Sequence, residues 1–138
     1  MLQLETAMGS AIECFPGAQA ILIPRSRFAP VKTTGDLMAL MSDAYEVTED
    51  FRMVLKDERG GVPPTVKLDG AYKFVDDLYK LIPAGAPSLL KCTKLTVEGE
   101  QVEFKGGVVI IGKVTIKNAS GQRKVLKKGV YENTTVEL

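Results

Sequence analysis

Residues 24–37 hold the side chains best suited to chemistry in this sequence. The stretch is stiffened by two prolines, carries three cations (Arg25, Arg27 and Lys32) and leads into a predicted helix. Lys32 stands just before that helix, whose first N–H groups lack internal partners and carry partial positive charge. An ammonium beside such a helix end would form an anion site suited to a phosphate. The alternative is a surface lysine ahead of a capped helix, and the spacing alone favours that second interpretation.

The other side chains of this stretch are open to more than one interpretation. Arg25 and Arg27 alternate along extended chain, so we expect them to point to opposite sides. One of them could face a ligand while the other meets a carboxylate, and the residues do not say which. Phe28 could stack against a ligand, although a phenylalanine more often packs in a core.

Two pairs of polar residues offer weaker candidate sites. Glu5 and Thr6 could line a sugar pocket, but a solvated helix face is the simpler explanation. Asp76 and Asp77 resemble a metal-binding pair only superficially, because adjacent helix residues point in different directions. We therefore predict no metal ligand in this chain.

The composition excludes several classes of function. The 138 residues include no histidine, which removes histidine general bases, Ser–His and Cys–His nucleophilic pairs and nearly all zinc sites. A formal net charge of +1 argues against general nucleic-acid or membrane-surface binding, and no apolar run approaches the roughly 20 residues of a membrane span. Cys14 and Cys92 lie in separate segments, and we expect two reduced, packed thiols in a cytoplasmic protein without a secretory signal.

The N-terminal part of the chain has the pattern of an α/β domain. Apolar residues at helical spacing predict an amphipathic helix over residues 4–15, ended by Pro16 and Gly17. Residues 20–23 form a short, wholly apolar run, which is typical of a strand buried on both faces of a parallel sheet. Because one such strand cannot make a sheet, we predict that this part belongs to a larger domain.

Two more helices are predicted further along the chain. Apolar spacing predicts the first over residues 37–45, with Thr33 or Thr34 as its N-cap and Thr33-x-x-Asp36 resembling a capping box. The polar residues that follow predict a surface connection with at most short strands, over residues 46–61.

The next helix is predicted over residues 74–82. The Pro- and Gly-rich residues 83–87 are the best linker in the chain. We therefore predict a boundary there, between one domain over residues 1–82 and a second over residues 88–138.

The second predicted domain has an apolar pattern that repeats every six residues. Val102, Val108 and Val114 form one register, and Phe104, Ile110 and Ile116 form another, two residues later. Thr96 extends the first register backwards, and Val130 and Val136 resume the pattern after a Lys- and Gly-rich insertion or cap. A six-residue step with inward side chains at i and i+2 and glycines between the apolar pairs is typical of a parallel β-helix. An antiparallel meander with coincidental spacing is the alternative, and matching steps in two registers favour the β-helix.

Two strings of residues resemble the eukaryotic UDP-glucose pyrophosphorylase family. They are Leu-Gln-Leu-Glu-Thr-Ala-Met-Gly at residues 2–9 and Pro-Arg-Ser-Arg-Phe-Ala-Pro-Val-Lys-Thr-Thr at residues 24–34. The likeness continues through the six-residue repeat to the C-terminus and is weakest over residues 46–71. It implies an α/β remnant of a Rossmann-like nucleotide-sugar transferase catalytic domain, followed by a left-handed parallel β-helix.

The resemblance also implies a reaction, in which UTP and glucose 1-phosphate give UDP-glucose and pyrophosphate with Mg²⁺. Such transfers depend on positioning and charge neutralisation more than on a covalent nucleophile. Carried over by likeness, Lys32 contacts the phosphates at the reacting centre as the catalytic residue, and Phe28 lies beside the sugar. The family's glycine-rich nucleotide loop and most substrate contacts lie in an N-terminal portion that is absent here. We therefore expect this chain to need that portion as its partner and to be inactive without it.

An alternative function is a binding or assembly module without catalysis. The end of a β-helix is an open face whose strands can pair, which would suit an oligomer contact. A hexapeptide-repeat acyltransferase fits poorly, because such enzymes usually need a histidine base and the chain has none.

Overall fold

The computed structural model of this chain describes residues 8–24 and 30–138. Two α-helices lie in the described part: α1 at Thr34–Leu40 and α2 at Val75–Leu81. Short 3-10 helices are found at Met8–Cys14, Asp57–Arg59 and Gly70–Tyr72. The strands are β1 Tyr45–Val47, β2 Met53–Leu55, β3 Thr65–Leu68, β4 Ser88–Glu98, β5 Val102–Phe104, β6 Val108–Lys117, β7 Lys124–Leu126, β8 Gly129–Glu132 and β9 Thr135–Glu137. No helix among the described residues is long and apolar enough to cross a membrane.

The N-terminal segment departs most from the prediction. The described part of the predicted amphipathic helix is the 3-10 helix Met8–Cys14, which is exposed over residues 9–14. Cys14 is therefore exposed, and the expectation that its thiol is packed is wrong. The strand predicted over residues 20–23 does not form among the described residues, where Ile21 and Leu22 are 84% and 94% exposed. A doubly buried strand needs neighbours to bond its backbone on both edges, and the described chain supplies none.

The predicted helices and surface connection are confirmed with changed ends. α1 ends at Leu40 and not at residue 45, because the Ser42 hydroxyl donates to the Ala39 carbonyl and accepts from the Ala44 N–H, which turns the chain. The polar connection contains the short antiparallel pair β1–β2, in agreement with the prediction. The third predicted helix is α2.

The strands after residue 64 form parallel sheets. One sheet has the order β3-β4-β6-β8, with β9 also paired to β6, and β5 pairs with β7. The registers join Val97 to Ile116 and Val102 to Lys124, which lie 19 and 22 positions apart in the chain. Successive turns of chain therefore stack strand on strand, and the antiparallel meander is wrong. The Lys- and Gly-rich segment is not an insertion, because it supplies β7 to this stack.

The six-residue repeat is confirmed in its central steps and wrong at its ends. All six residues of the two registers are at most 3% exposed: Val102, Val108, Val114, Phe104, Ile110 and Ile116. Thr96 is only half-buried, whereas Leu95 and Val97 on either side of it are buried. The step to the next turn is thus seven residues, with a corner at Gly99, where a Cβ would lie 2.0 Å from the Asn118 carbonyl oxygen. Val130 is 65% exposed, whereas Val136 packs against the core.

One apolar core continues across the predicted domain boundary. Residues 83–87 form no helix or strand, as expected of a linker, yet Met38 and Leu81 before it belong to the same buried cluster as Leu89 and Phe104 after it. The division into two domains stays a prediction, but the two parts pack together.

Two charged side chains also join these parts at the start of β4. The carboxylate of Asp43 accepts hydrogen bonds from the N–H groups of Leu89 (2.7 Å) and Leu90 (3.0 Å) and from the Ser88 hydroxyl. The Arg59 guanidinium donates to the carbonyls of Leu89 (3.2 Å) and Leu90 (3.0 Å), and also to that of Cys92. These bonds stabilise a segment where the register with β6 shifts, which leaves backbone groups in need of partners.

Candidate functional site

Lys32 lies on exposed chain that leads directly into α1. Its backbone N–H donates to the Asp36 carboxylate at 3.1 Å. Within residues 8–24 and 30–138, no hydrogen bond or ion pair occupies the Lys32 ammonium. The turn therefore fixes the base of this side chain and leaves its charged end free for an anion.

Thr33 is the N-cap of α1, which settles the choice that the sequence left open between Thr33 and Thr34. Its hydroxyl accepts from the Asp36 N–H at 3.1 Å, and the Asp36 carboxylate accepts from the Thr33 N–H at 2.9 Å. These reciprocal bonds are the predicted capping box. The Thr34 hydroxyl instead donates to the Tyr72 carbonyl at 2.6 Å.

The capping box changes the predicted anion site. The N–H groups of Lys32 and Thr33 are already bound by the chain's own Asp36 carboxylate, which also places a negative charge at this end of α1. The helix has only seven residues. The N–H groups of Lys32 and Thr33 are therefore not available to an anion, whereas the Lys32 ammonium is. That the ammonium and the first N–H groups of the helix together bind an anion stays a prediction.

Asp36 is held in its ionised form by its hydrogen bonds. Partial burial opposes ionisation, but the bonds from the Thr33 hydroxyl and from the Lys32 and Thr33 N–H groups outweigh it and lower the pKa of Asp36. The nearby Lys32 ammonium acts in the same direction. The capping box is consequently intact at neutral pH.

α1 is fixed to the rest of the chain at its first turn. Gly35 packs so closely against β3 that a Cβ there would lie 2.5 Å from the Val66 carbonyl oxygen. The bond from Thr34 to Tyr72 ties the same turn to the 3-10 helix that precedes α2. Gly35 and the Thr34 side chain thus fix the position of the turn that carries Lys32.

The remaining sequence candidates either lie outside the described residues or lie on α2. Arg25, Arg27 and Phe28 lie outside the described residues, as do Glu5 and Thr6, so their proposed roles stay predictions. On α2, Asp77 accepts a hydrogen bond from the Lys80 ammonium at 2.8 Å and does not pair with Asp76. Across the part of the chain that is described, no three Asp, Glu or Cys side chains converge as metal ligands would.

Sequence reasoning missed a buried carboxylate at Glu103. Its side chain is only 6% exposed and forms ion pairs with Lys105 (2.8 Å) and Arg123. The bonds from Lys105 and then Arg123 lower the pKa of Glu103. Glu103 lies on β5, and Arg123 lies just before β7, the strand that pairs with β5. The available signal in the sequence was therefore a basic residue about one turn of chain after the glutamate.

A cleft of about 650 Å³ lies beside this carboxylate. It is lined by Tyr79 of α2 and Glu103 of β5, together with Tyr72 of the preceding 3-10 helix and Glu100 from the turn before β5. Neither Lys32 nor any other residue of the capping box lines it. The cleft and the lysine turn are therefore separate features of the surface.

Comparison with known proteins reveals close relatives. The family model for UTP–glucose-1-phosphate uridylyltransferase matches residues 1–110. The enzyme of that name from Pyrus pyrifolia is 41% identical over 121 residues, which cover 88% of this chain and 25% of the relative. UTP–glucose-1-phosphate uridylyltransferase 2 from Dictyostelium discoideum is 36% identical, covering 99% of this chain and 27% of the relative.

Solved structures give the same result for the fold. A mutant UDP-glucose pyrophosphorylase from Leishmania major superposes with a TM-score of 0.83 at 51% identity, covering 99% of this chain and 28% of that one. Another mutant of that enzyme, solved in complex with UDP-glucose, gives a TM-score of 0.81 at 52% identity, with 99% and 29% covered. The chain thus spans well under a third of the length of these relatives.

Proposed function

This chain belongs to the UTP–glucose-1-phosphate uridylyltransferase family, and on that premise we propose that it supplies the C-terminal part of an enzyme that makes UDP-glucose. The substrates are UTP and glucose 1-phosphate, and the second product is pyrophosphate. The observation that carries the proposal is the Lys32 ammonium, which no described residue engages in a hydrogen bond or ion pair, on a turn whose backbone is fixed by Asp36.

The proposed role of Lys32 follows from the chemistry of the transfer. An oxygen of the sugar phosphate forms a bond to the α-phosphorus of UTP while the bond from that phosphorus to the pyrophosphate oxygen breaks. Negative charge on the phosphate oxygens must be neutralised during this step, and positioned cations contribute most of the catalysis. A lysine ammonium is a compact charge with three donors, which suits it to phosphate oxygens. We assign Lys32 to this contact and Phe28 to the sugar.

Two carboxylates that could meet a metal are already paired within the chain. Asp36 is engaged by three hydrogen bonds, and Asp77 is paired with Lys80. We therefore propose that any magnesium arrives with the nucleotide and is held outside this chain, and no step of the proposal runs through it.

The C-terminal half is proposed to be a left-handed parallel β-helix. Three observations support that architecture. The parallel strands pair in registers about one turn of chain apart, the buried side chains recur every six residues, and Gly99 forms a close corner. The preceding residues are proposed to be the end of a Rossmann-like catalytic domain, and the cytoplasm its location.

We further propose that activity requires the portion of the relatives that this chain does not match. The relatives are much longer, and the apolar residues 20–23 lie exposed where a sheet would cover them. Two polypeptides test this: the 138-residue chain, and the same chain joined to the N-terminal portion of a relative. UDP-glucose formation should be detected only with the second. Turnover by the purified chain alone, free of host enzyme, would refute the requirement.

A second candidate function is assembly through the end of the strand stack. β8 and β9 each pair only with β6 among the described strands, and Val130 on β8 is 65% exposed. An exposed apolar residue on an outer strand suits contact with another subunit. Light scattering should then report an oligomer that Val130→Lys converts to a smaller species. A monomer at all concentrations would exclude this function.

A further inference from the structure

Asp36 binds three groups that surround the base of Lys32. One carboxylate oxygen, Oδ2, accepts from the Lys32 N–H (3.1 Å), the Thr33 N–H (2.9 Å) and the Thr33 hydroxyl (2.9 Å). A capping box requires only the bond to the N-cap residue. The additional bond to Lys32, outside the helix, restrains the residue whose ammonium is free.

The position of Asp36 is itself determined by contacts with other elements. Gly35, directly before it, is pressed against the Val66 carbonyl on β3, and Thr34 donates to the carbonyl of Tyr72. Tyr72 is buried, and its hydroxyl accepts from the Val102 N–H at 2.9 Å. A continuous set of contacts therefore runs from the strand stack through the first turn of α1 to the backbone of Lys32.

We propose that Asp36 is a positioning residue, which fixes the backbone of Lys32 so that its ammonium meets the reacting phosphates. This inference rests on the proposed role of Lys32. Asp36 touches no substrate in this account and acts only through the lysine. A misplacement of about 1 Å in a catalytic group can cost roughly 100-fold in rate.

An ordinary hydrogen-bonded carboxylate would stabilise the fold without this effect, so the test needs a matched carboxylate elsewhere. Asp43 is such a control, since it also accepts three hydrogen bonds, from the N–H groups of Leu89 (2.7 Å) and Leu90 (3.0 Å) and from the Ser88 hydroxyl, at the start of β4. Both substitutions, Asp36→Ala and Asp43→Ala, remove a carboxylate that accepts three hydrogen bonds.

The experiment measures kcat for UDP-glucose formation in the polypeptide joined to the relatives' N-terminal portion. We expect Asp36→Ala to lower kcat by about 10-fold or more, and Asp43→Ala to leave it within about threefold. Asp36→Asn keeps an oxygen acceptor and should recover most of the lost kcat. Equal kcat in Asp36→Ala and Asp43→Ala, or no recovery with Asp36→Asn, overturns the inference.

A double-mutant cycle separates this inference from the function on which it rests. If Asp36 acts through Lys32, adding Asp36→Ala to Lys32→Ala should cause no further loss of kcat. If the losses of kcat in the two single variants multiply in the double variant, the positioning role of Asp36 is overturned and the role of Lys32 still stands. Near-normal kcat in Lys32→Ala alone would instead refute the proposed function.

Discussion

Replacing Arg59 by alanine should lower the free energy of unfolding more than the loss of an exposed ion pair would. The half-buried guanidinium donates to the carbonyls of Leu89 and Leu90 at 3.2 and 3.0 Å, and to that of Cys92. A hydrogen bond to a charged group contributes about 1.5–3 kcal/mol, and a carbonyl left without a partner costs about as much. Because Arg59 is only half-buried, water can replace part of what is lost. We expect the free energy of unfolding to fall by about 2–3 kcal/mol.

Urea unfolding measured by circular dichroism can test this magnitude. With a slope of roughly 2 kcal/mol per molar urea, the midpoint should fall by about 1 M or more with the slope unchanged. Arg52→Ala is the matched control, since among the described residues the Arg52 side chain pairs with the exposed Asp50 alone, and its loss should cost at most about 1 kcal/mol. Equal midpoint shifts in the two variants would refute the assignment of Arg59 to the start of β4.

Two further predictions concern titratable side chains. Cys14 is exposed, whereas Cys92 is fully buried with its pKa raised by burial to about 11, so a thiol reagent should modify Cys14 rapidly and Cys92 only on unfolding. Rapid labelling that persists in Cys14→Ser would contradict this. Glu103 has a lowered pKa in the folded state, so its stabilising effect is present above its ordinary pKa of 4.5 and is lost as the pH falls through the folded value. The difference in urea midpoint between the chain and Glu103→Gln should shrink from about pH 7 to about pH 3, and a constant difference would show that Glu103 ionisation is not involved.

Local patterns in the sequence predicted much of this structure. The capping box needs only Thr33 and Asp36, three residues apart, and was predictable for that reason. In the central part of the strand stack, buried residues such as Val108 and Ile110 recur every six residues, and this regular spacing is visible in the sequence.

The failures have non-local causes. The strand predicted over residues 20–23 requires neighbouring strands that the described chain does not provide. The turn at Gly99 takes one more residue than the repeat allows, which leaves Thr96 only half-buried. Glu103 and Arg123 meet only because parallel strands bring successive turns of chain together. Spacing likewise could not show that the Asp36 carboxylate would also accept from the N–H group of Lys32, beyond the capping box.

The central claim is that the free ammonium of Lys32 contacts the reacting phosphates. It is tested most directly by kcat for UDP-glucose formation in Lys32→Ala, made in the polypeptide joined to the relatives' N-terminal portion. Lys73→Ala is the control, because Lys73 is also exposed and forms no ion pair among the described residues. We predict that Lys32→Ala lowers kcat by about 10²–10³, like the loss of one transition-state charge contact, while Lys73→Ala leaves it unchanged. A kcat for Lys32→Ala equal to that of Lys73→Ala would contradict the claim.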